Sequence, residues 1–109
     1  MYNIYHQNGV VIRPNVIAEG DTATVMYKGI LHNKGADSVY MHIGYSEDWK
    51  DAKDIKMSRT DEGFEAHLPI TSREQLKIAF KDSANHWDNN SGRNYSFEVQ
   101  NRFVSIDTR

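Results

Sequence analysis

The apolar residues of this chain fall mostly in short runs that alternate with polar ones, and Gly, Asn, Asp or Ser interrupts the pattern every 8 to 15 residues. A period of two belongs to strands with one buried face, and this turn spacing belongs to an all-β sandwich or barrel. The runs predict strands at Val10 to Arg13, Thr22 to Lys28, Val39 to Tyr45, Ile55 to Arg59, Phe64 to Leu68, Leu76 to Lys81, Tyr95 to Val99 and Phe103 to Ile106. Long helices are not expected; one helical turn is predicted within residues 46–52, too short to stand without tertiary support.

Alternation also assigns faces. Val39, Met41 and Ile43 point one way and Tyr40, His42 and Gly44 the other; Leu76, Ile78 and Phe80 face inward, with Lys77 and Lys81 outward. Tyr95, Phe97 and Val99, with Phe64, Ala66 and Leu68, complete a core of ordinary size. Each of these side chains contributes ~1.5–3 kcal/mol when fully buried. Asn8-Gly9, Asn33-Lys34-Gly35, Asp61-Glu62-Gly63 and Ser91-Gly92 mark turns, because Gly and Asn reach positive φ at low cost.

At 109 residues the chain has material for one core, so residues 1–109 are expected to form a single module. Its 13 basic and 15 acidic residues give a formal charge of −2, which provides no field for nucleic acid or for anionic lipid, and neither partner is expected. No apolar stretch approaches the ~18–20 residues of a membrane helix. The absence of cysteine removes disulfides, thiolate metal sites and thiol nucleophiles. The N-terminal residues carry no secretory pattern. A complete chain is therefore expected in the cytoplasm, and a fragment of a larger secreted enzyme outside the cell.

Both tryptophans lie outside the predicted strands, Trp49 among Glu, Asp and Lys and Trp87 among Asn, Asp and His. A tryptophan that folds back to cap the core is the bland explanation for either. Two in polar loops suggest instead a sugar site, where an indole covers the C–H face of a pyranose and amides and imidazoles satisfy its hydroxyls.

The order Val39-Tyr40-Met41-His42-Ile43-Gly44-Tyr45, then Trp49, then Leu76 to Asp82, then Trp87-Asp88-Asn89-Asn90, Gly92, Asn94-Tyr95 and Phe97 resembles the starch-binding modules of carbohydrate-binding module family 25 and the related family 53. The resemblance spans about Gly20 to Val99, and the segment Trp87 to Tyr95 is its most specific part. It implies an immunoglobulin-like antiparallel β-sandwich that binds α-1,4-glucans, such as starch or glycogen, without catalysis or cofactor. An imidazole and two indoles would form the platform, at positions matching His42, Trp49 and Trp87. Asn89 and Asn90 are the candidates for hydrogen bonds to sugar hydroxyls; Asp88 is expected to accept backbone N–H bonds in its own turn. Tyr45 either rims the site or packs beneath Trp49. The polar stretch around Trp49, Glu47-Asp48 before it and Lys50 to Asp54 after it, departs from the short turn expected of many relatives.

Other chemistries fit less well. The histidines, at 6, 32, 42, 67 and 86, lack metal-ligand spacing, so no metal site is expected. A glycosidase needs two carboxylates flanking a cleft, whereas Asp48, Asp51, Asp82 and Asp88 all have simpler work in turns. No nucleophile elbow is present, and the two glycosylation sequons are read as coincidence. The alternative is a sandwich whose exposed aromatics bind another protein. An unidentified glycan-processing enzyme is a further possible partner, tethered to its polymer by this chain.

Overall fold

Two antiparallel sheets face each other across the apolar side chains that alternation assigned inward. The structure is a computed structural model and describes residues 4–5 and 8–100. Its strands are β1 (Ile4–Tyr5), β2 (Val10–Arg13), β3 (Ile17–Ala18), β4 (Thr22–Tyr27), β5 (Val39–Tyr45), β6 (Lys50–Lys56), β7 (Ser58–Thr60), β8 (Gly63–Pro69), β9 (Leu76–Asp82), β10 (Trp87–Asp88), β11 (Tyr95–Phe97) and β12 (Val99–Gln100), with one helical turn, α1 (Ile30–Asn33). One sheet has the order β1-β2-β4-β8-β7. The other has the order β10-β9-β5-β6, with β11 also paired to β9, and β12 lies parallel to β3 as a separate pair. This is the all-β sandwich expected from the sequence.

The core is closed by residues from both sheets. Val10, Ile12, Val25, Tyr27, Phe64 and Leu68 from the first meet Met41, Ile43, Ile78, Phe80, Tyr95 and Phe97 from the second, all buried. Across the gap, the Tyr27 and Phe80 rings stack at 4.1 Å and 24°, and Tyr95 meets the edge of Phe80 at 5.6 Å. Polar tips enter with these aromatics. The Tyr27 hydroxyl donates to Asp88 Oδ2 at 2.6 Å and the Tyr95 hydroxyl to Asp88 Oδ1 at 2.9 Å, so one buried carboxylate joins β4, β10 and β11. The same Tyr27 hydroxyl accepts the Leu31 N–H at 3.1 Å and thereby pins α1 to the core.

Several local expectations are corrected. Residues 46–49 form a tight turn and not the start of a helix, and Lys50–Lys56 is a strand. That strand is legible only in three dimensions: it is the edge of its sheet, almost wholly exposed, so its sequence shows charges in place of alternation, which is how edges avoid pairing with other chains. The strand predicted over Ile55 to Arg59 breaks at Met57. This buried residue donates its N–H to the Val39 carbonyl as the chain crosses from β6 in one sheet to β7 in the other. Likewise Tyr95 to Val99 is divided at Glu98 between β11 and β12. The turn α1 was not expected; of its residues only Leu31 is buried. The strand expected at Phe103 to Ile106 lies outside the described residues.

Phe80→Ala is expected to cost about 3–5 kcal/mol in urea unfolding, because it empties the centre of the inter-sheet aromatic stack. Burial and the bond to Asp88 push the Tyr27 phenol well above its ordinary range. The folded protein thus keeps a proton that the unfolded chain releases above pH ~10, so Tyr27's contribution is fully present below that pH and declines as pH rises. Wild-type stability should fall from pH 10 to 11 more steeply than that of Tyr27→Phe, by up to about 1.4 kcal/mol per pH unit; equal slopes would refute the assignment.

Candidate functional site

On the outer face of the second sheet, alternation along β5 directs Tyr40, His42 and Gly44 away from the core, where His42 is half-buried. Its cross-strand neighbours are Ala79 on β9 and Asp54 on β6. Ala79 is buried despite lying on the outer face, and its short side chain leaves a floor beneath larger rings. His42 stands between the two tryptophans. Its ring lies 5.1 Å from that of Trp49, at 31°, and 5.6 Å from that of Trp87, at 89°. The three rings predicted to form a platform are therefore brought together on one face, though Trp87 lies far from the other two in sequence.

Each ring is held by identifiable contacts. Trp49 ends the turn that begins at Ser46, donating its N–H to the Ser46 carbonyl, and it has φ 56°, so the chain turns back sharply into β6. Beneath it lies Gly44, where a Cβ would sit 2.9 Å from both Cα and Cε3 of Trp49; only glycine admits the indole so close to the sheet. The β5–β6 pairing shifts register at this point, between Ile43 and Tyr45. Trp87 opens β10 opposite Lys81 and is 48% exposed. The hairpin before it is tied by Asp82, whose Oδ1 accepts the N–H groups of Ala84 and His86, at 2.9 and 2.8 Å, while Oδ2 faces the His86 ring at 2.9 Å. These bonds, foremost the His86 backbone N–H, hold the Asp82 carboxyl below its ordinary range.

Asp54, which the sequence analysis did not single out, organises the polar side. Its Oδ2 pairs with Lys81 Nζ at 2.9 Å and its Oδ1 meets His42 Nδ1 at 2.6 Å. Lys81 first and His42 second draw its pKa down. A carboxylate only accepts, so the His42 proton sits on Nδ1, and in the neutral ring Nε2 becomes the acceptor. Lys81 Nζ in turn lies 5.3 Å from the centroid of the Trp87 ring. One carboxylate thus links the imidazole to the ammonium beside the second indole.

The remaining predicted residues fall elsewhere. Tyr45 neither rims the site nor lies exposed: it is buried in the core and its hydroxyl accepts the Thr71 N–H at 3.1 Å, because it continues the inward face of β5 with Met41 and Ile43 past the irregularity at Gly44. Gly44 lies directly against Trp49. Asn90 braces its loop, donating from Nδ2 to the Asn94 carbonyl and accepting at Oδ1 from Asn8 Nδ2, each at 3.1 Å. Both ends of its amide are thereby engaged within the protein. Asn89 is exposed; its Oδ1 accepts the Gly92 N–H at 2.9 Å, which directs solvent contact to Nδ2. Asp88 accepts one backbone N–H in its own turn, from Asn90 at 3.2 Å, but its shorter bonds come from the two tyrosines. Lys77, expected outside, is on the outer face but buried, reaching Glu47 and Ser96. The described residues contain no group of three or more His, Cys, Asp or Glu able to hold a metal, and no helix among them is long and apolar enough to cross a membrane.

Gly44→Ala should displace Trp49 and change tryptophan emission and near-ultraviolet circular dichroism, at a cost in stability of about 1–3 kcal/mol. Unchanged spectra would show that the indole does not rest on residue 44.

Residues 23–80 match the starch/carbohydrate-binding module family 53. Over 83 residues the chain is 35% identical to a beta/alpha-amylase of Paenibacillus polymyxa, an overlap of 73% of this chain and 6% of that protein. It is 33% identical over 94 residues to a beta-amylase of Niallia circulans, covering 84% of this chain and 16% of the amylase. The chain therefore corresponds to a small part of each relative. No solved structure matches it significantly. With more than half of its residues matched, the chain belongs to carbohydrate-binding module family 53, a family of starch-binding modules.

Proposed function

We propose that the chain binds α-1,4-linked glucans, namely starch, glycogen and their maltooligosaccharides, without transforming them, on the platform of His42, Trp49 and Trp87. The observation that carries this is the ring geometry: His42 touches both indoles, tilted by 31° to Trp49 and near perpendicular to Trp87, on a partly exposed sheet face. Rings set at an angle suit the C–H faces of successive glucoses in a curved amylose-like chain, whereas a flat β-1,4 chain cannot touch both indoles. His42 Nε2 and Lys81 supply hydrogen-bonding groups beside the rings, and Asn89 Nδ2, exposed in the loop that follows Trp87, is a further candidate. That polar surround favours a sugar over a protein partner, whose hot spot would be ringed by aliphatic side chains.

Catalysis finds no support at the platform. A glycosidase acid needs a carboxyl with a raised pKa, and Asp54 and Asp82 are both shifted downward. Asp88 is buried under two tyrosine hydroxyls. We also propose kinship with the related family 25, supported by the order of residues from Val39 to Phe97 and most specifically by Trp87 to Tyr95. We further infer that residues 1–109 act as one module serving an amylase-type enzyme. Of the two compartments expected from sequence, the extracellular one accords with that role.

Trp87→Ala is expected to abolish retention on amylose and shift the melting temperature only slightly, since a half-exposed indole leaves no cavity. His42→Ala should weaken binding less, as an imidazole offers a smaller stacking face. Wild-type Kd should fall at about 1 μM to 1 mM, as a shallow open site would give. Equal retention on amylose and cellulose, or intact binding by Trp87→Ala, would sink the proposal.

A further inference from the structure

Beyond Trp87 the surface does not flatten. Across the second sheet the order is β6, β5, β9, β10, and α1 packs against β10. Trp49 precedes β6, His42 is on β5 and Trp87 opens β10, so the rings run across the strands, and α1 lies next in the same direction. Between α1 and the hairpin that ends at Trp87 is a groove of about 750 Å³, within the ~300–1,000 Å³ typical of small-molecule sites. Ile30, 49% exposed, and Trp87 supply apolar wall, and Lys34, Asp37, Asn85 and His86 supply donors and acceptors.

The walls are built to stay apart at a fixed distance. The Tyr27 hydroxyl bonds both the Leu31 N–H of α1 and Asp88 of β10, which ties one wall to the other from below. The Asp82 bonds to Ala84 and His86 fix the hairpin independently. A groove held open in this way, continuous with the aromatic platform through a shared indole, needs no rearrangement to accept a chain that already lies across Trp87.

We propose that this groove is an extension of the glucan site, taking the glucose units of a longer α-1,4 chain that run on past Trp87, with Ile30 beneath their C–H faces and Lys34 and Asn85 bonded to their hydroxyls. The inference rests on the platform reading above and adds to it a length preference: short oligosaccharides occupy the platform alone, and longer ones fill both.

Calorimetric titration with maltotriose through maltoheptaose tests it, on the wild type, the Ile30→Ala/Lys34→Ala double variant and Trp87→Ala, with melting temperatures as a check on folding. Both positions of the double variant are exposed, so it should melt as the wild type does. The wild type should gain about tenfold in affinity along the series, equivalent to about 1.4 kcal/mol. The double variant should bind maltotriose within about twofold of wild type yet show no gain with length, and Trp87→Ala should lose every length. A wild-type series that is flat beyond maltotriose, or a double variant that keeps the gain or loses maltotriose equally, would overturn the groove and leave the platform standing. Failure of every oligosaccharide to bind the wild type would overturn both.

Discussion

A buried carboxylate in a small β-sandwich is costly unless its oxygens are satisfied, and Asp88 meets that condition through groups from three elements. The Tyr27 hydroxyl arrives from the opposite sheet, the Tyr95 hydroxyl from β11, and the Asn90 N–H from the loop between. Charge-assisted bonds of this kind are short and directional, so they fix more than their own residues. Trp87 is the preceding residue and emerges on the outside because Asp88 points in; β10 is only two residues long, paired to β9 and braced by the Asp82 hairpin. Through Leu31 the same network sets the position of α1. The exposed indole and the far wall of the groove therefore depend on one buried oxygen pair.

The rest of the platform is built by subtraction. Two small residues, Gly44 and Ala79, lie on the outer face of β5 and β9, and large rings occupy the space above them. Trp49 comes close to the backbone because Gly44 has no Cβ, and its turn is followed at once by an edge strand in which all but Ala52 and Ile55 are charged. That strand contributes Asp54, which orients His42 and restrains Lys81 beside Trp87. The polar insertion that looked like a departure from the starch-binding pattern is the element that fixes the imidazole.

Residues that obey alternation were legible: the inward faces of β5, β8 and β9, and the outward placement of His42. The candidate residues that the fold brings together were those with distinctive side chains in polar surroundings, Trp49, Trp87 and His42. Asp54 gave no such signal, because one Asp in a lysine- and aspartate-rich stretch looks like any solvated charge until the stretch pairs with β5. Tyr45 and Asn90 have suitable chemistry at suitable positions, and only packing decides that the first continues a buried face and that the amide of the second bonds within the protein at both ends.

What the sequence determined by itself was the fold class, the absence of cysteine chemistry, the inward faces of β5, β8 and β9, and the presence of indoles and an imidazole in polar surroundings. These are local properties: alternation is written along each strand, and an indole among amides differs from one among aliphatics wherever it lies. Tertiary structure alone decided which of those side chains meet, which carboxylate serves them, and that a groove continues beyond Trp87. Those outcomes depend on strand order and register, which bring position 42 beside 54 and position 27 over 88, and such pairings arise from packing the two sheets together and leave no trace in the spacing of residues along the chain.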